Sequence, residues 1–263
     1  MISRISLYFA LSLTFFACQE TPKEMADTSP AAAAVTIPHA PASFNKVLDA
    51  HGGLATWQSQ QSMSYVVAAK GETHKIDLPS RKILLENEKF TIGYDGKDVW
   101  LKQDSAYYSG SARFYHNLYF YFITMPFVLA DPGIRYEEVA PLSFEGIEYP
   151  GIKIAYAANV GDSPDDNYIL YYHPETYQMT WLAYTVTYQS KAPSENFRLI
   201  RYSDWKTVNG NLLPHQLQWY DYKVGVIGEP SRDPMVVSEL MLSREAMDGA
   251  LFVMPAGAEV VVE

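Results

Sequence analysis

The chain has 263 residues, of which 30 are aspartate or glutamate and 20 are lysine or arginine, so its formal net charge is −10. Nucleic acid and anionic bilayer surfaces are bound through basic surfaces, and this charge balance argues against both as partners. The one cysteine, Cys18, leaves no thiol pair for a disulfide or for a thiolate metal site. Tyrosine occurs 20 times, which favours strands and an amphipathic interior.

The first 17 residues have the features of a signal peptide: Arg4 near the start, then an apolar run that ends at a small residue. This run of about 13 residues is shorter than the roughly 20 that a membrane-spanning helix needs. Phe15-Phe16-Ala17-Cys18 resembles a lipobox, although Phe15 occupies a position where leucine is usual. We therefore expect Cys18 to be diacylated and to become the mature N-terminus. The alternative is an ordinary secretory signal with a cysteine near its cleavage site.

Residues 18–41 are expected to form the lipidated cysteine and a flexible tether. The stretch from Gln19 to Pro41 is rich in proline, alanine, threonine, serine and glutamate, and it has almost no large apolar residue with which to bury a core. The remaining residues, 42–263, are enough for one large β domain with a substantial core.

The domain is expected to open with a helix capped by Ser43. Its apolar side chains recur at helical spacing through Phe44, Val47 and Leu48 to His51, and Gly52-Gly53 provides the stop. We assign His51 a structural role in the last turn, where it suits the helix dipole, rather than a catalytic role.

Strands are predicted for most of the rest of the domain. Asp95-Gly96 joins two of them in the clearest hairpin, because this dipeptide accepts the positive φ of a tight turn. Without a regular alternation of strands and helices, the pattern favours a mainly β (α+β) fold built as an antiparallel meander. The predicted strands are 64–70, 73–78, 82–86, 90–94, 98–102, 134–139, 151–157, 168–173, 179–189, 197–208, 213–222 and 235–242.

One segment, Ala112 to Leu129, is predicted to be a helix that is apolar on nearly every side. Only Arg113, His116, Asn117 and Thr124 form a polar stripe. A helix of this character is buried, inserted in a groove or in contact with lipid. Pro126 is expected to end or kink it.

Several segments together resemble the LolA/LolB-type fold of lipoprotein-localisation factors. The chain is most similar to uncharacterised lipid-anchored relatives from Gram-negative bacteria of the Bacteroidetes type. The segments that carry the resemblance are His51-Gly52-Gly53 with Trp57, the hairpin Tyr94 to Trp100, Pro126 to Gly133, Tyr171 to Thr176, Tyr202 to Trp205 leading to Asn209-Gly210 and Leu213-Pro214, and Leu251-Phe252 with Pro255.

The resemblance implies an antiparallel sheet curled into a half-barrel, with helices plugging its concave apolar face. It also implies a cavity that takes acyl chains or a similarly apolar ligand. We predict that the ligand contacts Phe114, Leu118, Phe122 and Met125, which are spaced four, four and three residues apart, together with Phe127. The predicted lipid anchor distinguishes this chain from the soluble carrier of that fold family.

The six histidines are scattered without the spacing that metal ligation from one element requires. No nucleophile-elbow or phosphate-loop motif is present. We therefore expect no metal, no cofactor and no catalytic residues, and we do not expect an enzyme.

Two hypotheses follow from the sequence. The first is a monomeric outer-membrane lipoprotein, facing the periplasm and held by its N-terminal anchor, which binds an acyl chain or a lipoprotein in lipid or lipoprotein trafficking. The second is a structural or interaction lipoprotein whose cavity is filled by its own aromatic helix. Both use the Ala112 to Leu129 segment, because a plug and a lid need the same apolar surface.

Overall fold

Two antiparallel β-sheets form the framework of the protein in a computed structural model, which describes residues 36–156, 166–190, 192–223 and 225–262. The predicted signal peptide, Cys18 and the tether as far as residue 35 lie outside the described residues. Among the described residues, no helix combines the length and the apolar character that crossing a bilayer requires.

The first sheet contains seven strands of the described chain, in the order β14-β1-β2-β3-β4-β5-β15. Its strands are short, and β1 to β5 form a continuous meander joined by tight turns. The bounds are β1 Ser62–Val67, β2 Glu72–Asp77, β3 Lys82–Glu86, β4 Phe90–Tyr94, β5 Val99–Gln103, β14 Ser238–Ser243 and β15 Glu259–Val260.

The second sheet has the order β12-β11-β10-β9-β8-β7-β6, with β13 paired to β11. Several of its strands are longer than any strand of the first sheet, and the sheet curls into a half-barrel. The bounds are β6 Ile134–Phe144, β7 Ile147–Tyr156, β8 Asn167–Tyr172, β9 Met179–Tyr184, β10 Arg198–Val208, β11 Asn211–Lys223, β12 Val226–Pro230 and β13 Met235–Val236. The predicted mainly β, antiparallel half-barrel with helices is confirmed.

One connection between the two sheets runs through β13 and β14. Strand β13 pairs with Gln216 and Leu217 of β11 in the second sheet, and β14 follows after Val237 and pairs with β1 in the first. The amide of Val237 donates to the carbonyl of His215 at 2.8 Å, which continues the pairing through the junction. The two sheets therefore meet along this junction.

Helix α1 (Ala42–Ala50) and helix α2 (Leu54–Gln58) precede β1. The prediction that Ser43 caps the first helix is wrong, because Pro41 occupies the cap position. The Ser43 hydroxyl instead donates to Glu138 of β6 at 2.9 Å. Proline suits this position because its fixed φ matches the required extended backbone and it has no amide hydrogen to leave unpaired.

His51 is the residue that caps the C-terminal end of α1. It is fully buried, and its Nδ1 atom lies 2.7 Å from the carbonyl oxygen of Val47. Burial lowers the pKa of His51 to about 4. The ring is therefore neutral at pH 7, and it meets the end of the helix as a hydrogen-bonding group.

The main core lies between the two sheets and the helices. Its largest buried side chains include Phe44 of α1, Trp57 of α2 and Phe120 of the segment between β5 and β6. A smaller apolar cluster around Trp181 packs Phe144 and Tyr149 from the β6–β7 hairpin against β9. The second sheet therefore contributes to two apolar clusters, the main core and the cluster around Trp181. Both clusters contain buried aromatic side chains.

Candidate functional site

The aromatic segment between β5 and β6 borders the cavity that we regard as the candidate site. The single helix predicted over Ala112 to Leu129 is three shorter elements in the structure. These are α3 (Ala112–Tyr115), α4 (Leu118–Ile123) and a 3₁₀ helix (Phe127–Ala130). Since this segment connects the last strand of the first meander to the first strand of the second sheet, it crosses from one sheet to the other.

Local hydrogen bonds mark where α3 begins and ends and where α4 ends. The Ser111 hydroxyl caps α3 by accepting from the Phe114 amide at 3.1 Å. Nδ1 of His116 lies 2.6 Å from the Arg113 carbonyl oxygen, so this side chain occupies a backbone acceptor where α3 ends. The Thr124 hydroxyl donates to the Phe120 carbonyl at 2.7 Å where α4 ends, and Pro126 separates α4 from the following 3₁₀ helix.

The cavity lies beside the junction of α3 and α4 and has a volume of about 180 Å³. The two helices form one wall, and the ends of strands β7, β8 and β9 contribute the other. It is lined by Arg113, Phe114, Asn117, Leu118, Tyr121, Phe122, Asp131, Tyr156, Asp166, Tyr168, Tyr184, Thr185, Val186 and Tyr188.

Three of the five predicted ligand-contacting residues, Phe114, Leu118 and Phe122, line this cavity. They stay on one side because the spacing of four residues is preserved across the short break between α3 and α4. The Phe122 ring packs edge-on against Tyr184, with 5.0 Å between the ring centroids.

The other two predicted residues, Met125 and Phe127, are 1% exposed and do not line the cavity. The sulfur of Met125 accepts a hydrogen bond from the Tyr202 hydroxyl at 3.8 Å. The Phe127 ring stacks on Trp57 at 4.9 Å with 7° between the ring planes. Both residues follow the end of α4 at Ile123, so helical spacing does not apply to them. The structure places both in the packed core.

Three tyrosines from the strands line the cavity and were not identified from the sequence as site residues. Tyr168 on β8 is directly opposite Tyr184 on β9, and the Tyr156 ring lies 5.9 Å from the Tyr168 ring. Burial raises the pKa of Tyr156 above its ordinary value and that of Tyr168 well above it, so both hydroxyls remain protonated. The abundance of tyrosine was the only sequence signal for them.

Polar side chains are also part of the cavity lining, among them Asp131 and Asp166. One carboxylate oxygen of Asp131 accepts from Arg81 at 2.9 Å and the other at 3.0 Å. Burial raises the pKa of the Asp131 carboxyl, an effect that the nearby Arg81 opposes. Asp166 accepts from the amide and the hydroxyl of Thr187 at 2.7 and 2.8 Å. The cavity therefore combines an apolar interior with charged groups that are already paired.

A second cavity, which we call the cleft, has a volume of about 220 Å³ and lies on the other side of the α3–α4 junction. Arg113, Asn117 and Tyr121 line both the cavity and the cleft. The remaining residues of the cleft are Arg81, Ile83, Tyr94, His116 and Phe120.

A buried carboxylate holds α3 against the first sheet. Both oxygens of Glu72 on β2 accept from the Tyr115 hydroxyl, at 3.1 and 2.8 Å. Glu72 is 5% exposed, and His74 on the same strand approaches it to 3.4 Å. Because hydrogen bonds to charged groups are among the stronger ones in proteins, this contact fixes the helix that carries Phe114.

The described residues contain no group of three or more histidine, cysteine, aspartate or glutamate side chains that could hold a metal ion. The described cavity walls supply aromatic rings, hydroxyls and paired charges. Such a cavity can exclude water from an apolar ligand and can orient a polar group of that ligand.

The sequence comparison with protein families gives one match. The model of DUF6503, described as a family of unknown function, matches residues 63–210, which include α3, α4 and all the described strands that border the cavity. The chain belongs to the DUF6503 family. Among curated proteins, no match to this DUF6503 chain was found.

Solved structures similar to this DUF6503 member are distant in sequence. A DUF1329 family protein from Desulfovibrio piger is 11% identical with a TM-score of 0.45, covering 81% of this chain and 96% of that one. A LolA superfamily protein from Nitrosomonas europaea is 10% identical with a TM-score of 0.46, covering 79% and 96%. An outer membrane lipoprotein-sorting protein domain from Vibrio parahaemolyticus is 8% identical with a TM-score of 0.39, covering 78% and 97%.

Two of these three structures are described as a LolA superfamily protein and a lipoprotein-sorting protein domain, the class of protein that the sequence segments resemble. At this level of similarity, none of the three carries an inference about what this chain binds. The residues that line the cavity and the cleft are therefore the basis for a functional proposal.

Proposed function

We propose that this protein is a lipid-anchored cell-envelope protein that binds an acyl chain, or another apolar ligand, in the cavity beside α3 and α4. The observation that supports this most is the cavity wall formed by Phe114, Leu118 and Phe122 opposite Tyr168 and Tyr184. These side chains make a concave and mainly apolar surface, and a smaller number of polar groups complete the lining, as in most small-molecule sites.

The cavity volume limits what it can enclose. An engineered apolar cavity of about 150 Å³ holds one benzene molecule, so a cavity of about 180 Å³ accommodates a similarly short segment of an acyl chain. Burial of each methylene contributes about 0.8 kcal/mol. A segment of about six carbons would then contribute about 5 kcal/mol, which is enough for measurable binding without a charged contact.

The proposal includes the other expectations from the sequence. The protein would be held at the outer membrane through acylated Cys18, with its domain in the periplasm, and would act as a monomer in lipid or lipoprotein trafficking. It would act by binding rather than by catalysis. The net charge of −10 would keep its surface from adhering to nucleic acid or to anionic headgroups.

The alternative is a structural lipoprotein that has no ligand. Tight packing of Phe120, Met125 and Phe127, each 1% exposed, favours this alternative, because much of the aromatic segment already fills the core. The cavity lined by Phe114, Leu118 and Phe122 favours a ligand. The two proposals differ in whether an added acyl chain enters this space.

A chain-length series of fatty acids distinguishes the two proposals. For an acyl-binding protein, affinity should rise about three- to fourfold per methylene, up to about six to eight carbons. Beyond that length, affinity levels off if α3 and α4 stay in place and continues to rise if they shift. A structural lipoprotein should show no saturable binding at any length, and that result would contradict our proposal.

The variant Leu118→Asp places a charge in the apolar wall and should abolish binding of every fatty acid in the series. Leu251→Asp is the matched control, because Leu251 is 40% exposed and lies outside the cavity. Equal loss of binding in both variants would indicate a general effect of the added charge rather than a site beside α4.

A further inference from the structure

Two tyrosines lie side by side in the cavity lining, where β7 ends and β8 begins. Tyr156 is the last residue of β7 and Tyr168 is the second residue of β8. Their rings pack edge-on, with 5.9 Å between the centroids, and both side chains are half-buried. Each ring adds apolar surface to the cavity and each carries one hydroxyl, so this pair can contact both parts of an amphiphilic ligand.

The hydroxyls of Tyr156 and Tyr168 are accessible hydrogen-bond donors. Within the described part of the chain, neither hydroxyl has a hydrogen-bond partner, and neither belongs to the fully buried polar atoms that lack one. Both hydroxyls are therefore exposed to free space, and the space that these residues line is the cavity. Burial raises the pKa of both side chains, so each hydroxyl keeps its proton at neutral pH and can donate it.

The charged side chains of the described cavity lining are already engaged. Asp131 is paired with Arg81, and Asp166 accepts two hydrogen bonds from Thr187. Arg113, which also lines the cavity, has a partner as well. An ionised ligand group in this space would lose its hydration without gaining a free counter-charge, which is costly. The burial that keeps the two tyrosines protonated likewise disfavours any anion placed beside them.

A neutral carbonyl group satisfies these conditions. Its oxygen has two lone pairs with which to accept from hydroxyl donors, and it needs no counter-charge. We infer that the ligand is an uncharged amphiphile, an acyl ester or amide, whose chain lies against Leu118 and Phe122 and whose carbonyl oxygen accepts from Tyr156 and Tyr168. This inference rests on the proposed function and specifies the class of ligand.

The test compares three terminally brominated probes at pH 7: octanamide, the ionised octanoic acid of nearly the same shape, and 1-bromooctane, which has no acceptor. Bromine quenches tryptophan at short range, and Trp219 lies directly behind the cavity wall. Its ring centroid is 6.1 Å from that of Phe122, and its indole donates to the Tyr184 hydroxyl at 2.9 Å. The variant Trp219→Phe should remove the quenching and identifies its source.

We expect the purified protein to bind the amide at least about tenfold more tightly than the ionised acid, which must leave its carboxylate in solvent. The double variant Tyr156→Phe with Tyr168→Phe removes only the two hydroxyls. It should bind the amide about tenfold more weakly, because each neutral hydrogen bond contributes about threefold to tenfold. It should bind 1-bromooctane at least as tightly as the unaltered protein does. Tyr107→Phe is the matched control, because Tyr107 is 51% exposed and lies outside the cavity.

The possible failures are distinguishable. Equal affinity for amide and acid, or tighter binding of the acid, would overturn the uncharged ligand and leave the acyl-binding proposal in place. An affinity for the amide that is unchanged in the double variant, or lowered equally for 1-bromooctane, would overturn the role of the two hydroxyls. Absence of quenching by all three probes would contradict the proposed function itself, and with it this inference.

Discussion

Replacement of Phe122 or Phe127 by alanine tests whether the space beside α4 is a true cavity in solution. Both are phenylalanines of the same segment, and both are buried, at 5% and 1% exposure. Phe122 lines the cavity, whereas Phe127 lies in the packed core stacked on Trp57. Because the chemical change is the same, a difference in stability between the variants reports how well each side chain is packed.

Truncation of a buried phenylalanine to alanine costs about 3 to 5 kcal/mol, and the cost increases with the volume of tightly packed space that is left empty. Phe127 has packed neighbours on its ring face, so Phe127→Ala should lie near the top of this range, at about 5 kcal/mol. Phe122 already adjoins empty space, so Phe122→Ala should cost about 3 kcal/mol or less. We expect a difference of about 1 to 2 kcal/mol.

The assay is equilibrium unfolding in urea, followed by the fluorescence of the five tryptophans, with the slope of each transition compared across variants. Equal slopes are required, because a change in slope would mean that a variant alters the unfolded or native ensemble. An equal or greater loss for Phe122→Ala would show that Phe122 is as tightly packed as Phe127, and the reasoning about the cavity would be refuted.

Three further predictions concern the anchor, the lack of cofactors and pH. Cys18→Ala should release the protein from membranes, and its presence in the membrane pellet after a carbonate wash would refute acylation as the sole attachment. Chelator and reductant should leave the unfolding temperature unchanged, and a large decrease with either would reveal a missed site. His51 has a folded pKa of about 4 against about 6.5 when unfolded. This difference contributes about 3 kcal/mol to the free energy of unfolding above pH 6.5. The contribution is lost as the pH falls to about 4. Replacing His51 by glutamine should flatten this part of the profile in urea unfolding, and an unchanged profile would contradict the assignment.

Features set by adjacent residues could be predicted from the sequence. The hairpin at Asp95-Gly96 is confirmed, because Gly96 has φ of 100° and the Asp95 side chain accepts from the amides of Lys97 and Asp98. Strands β3 and β4 have the predicted bounds. In these elements the backbone preference and the apolar alternation agree, so no distant contact is needed to decide the conformation.

The candidate site could be predicted only in part. The spacing of Phe114, Leu118 and Phe122 identified one wall, since it depends on helical periodicity alone. The other wall depends on the register that places Tyr168 opposite Tyr184, and register is decided by tertiary packing. The same limit accounts for Met125, whose neighbour Tyr202 lies 77 residues away along the chain.

The most direct test of the account is to locate a bound acyl chain by photo-crosslinking. A fatty acid with a diazirine at the end of its chain is bound to the purified protein and activated by light, and the labelled peptides are then identified by mass spectrometry. We predict saturable labelling of the α4 wall at Leu118 and Phe122 and of Tyr184 on β9. Labelling confined to exposed apolar residues such as Val253 and Met254, or no labelling at all, would contradict the central claim.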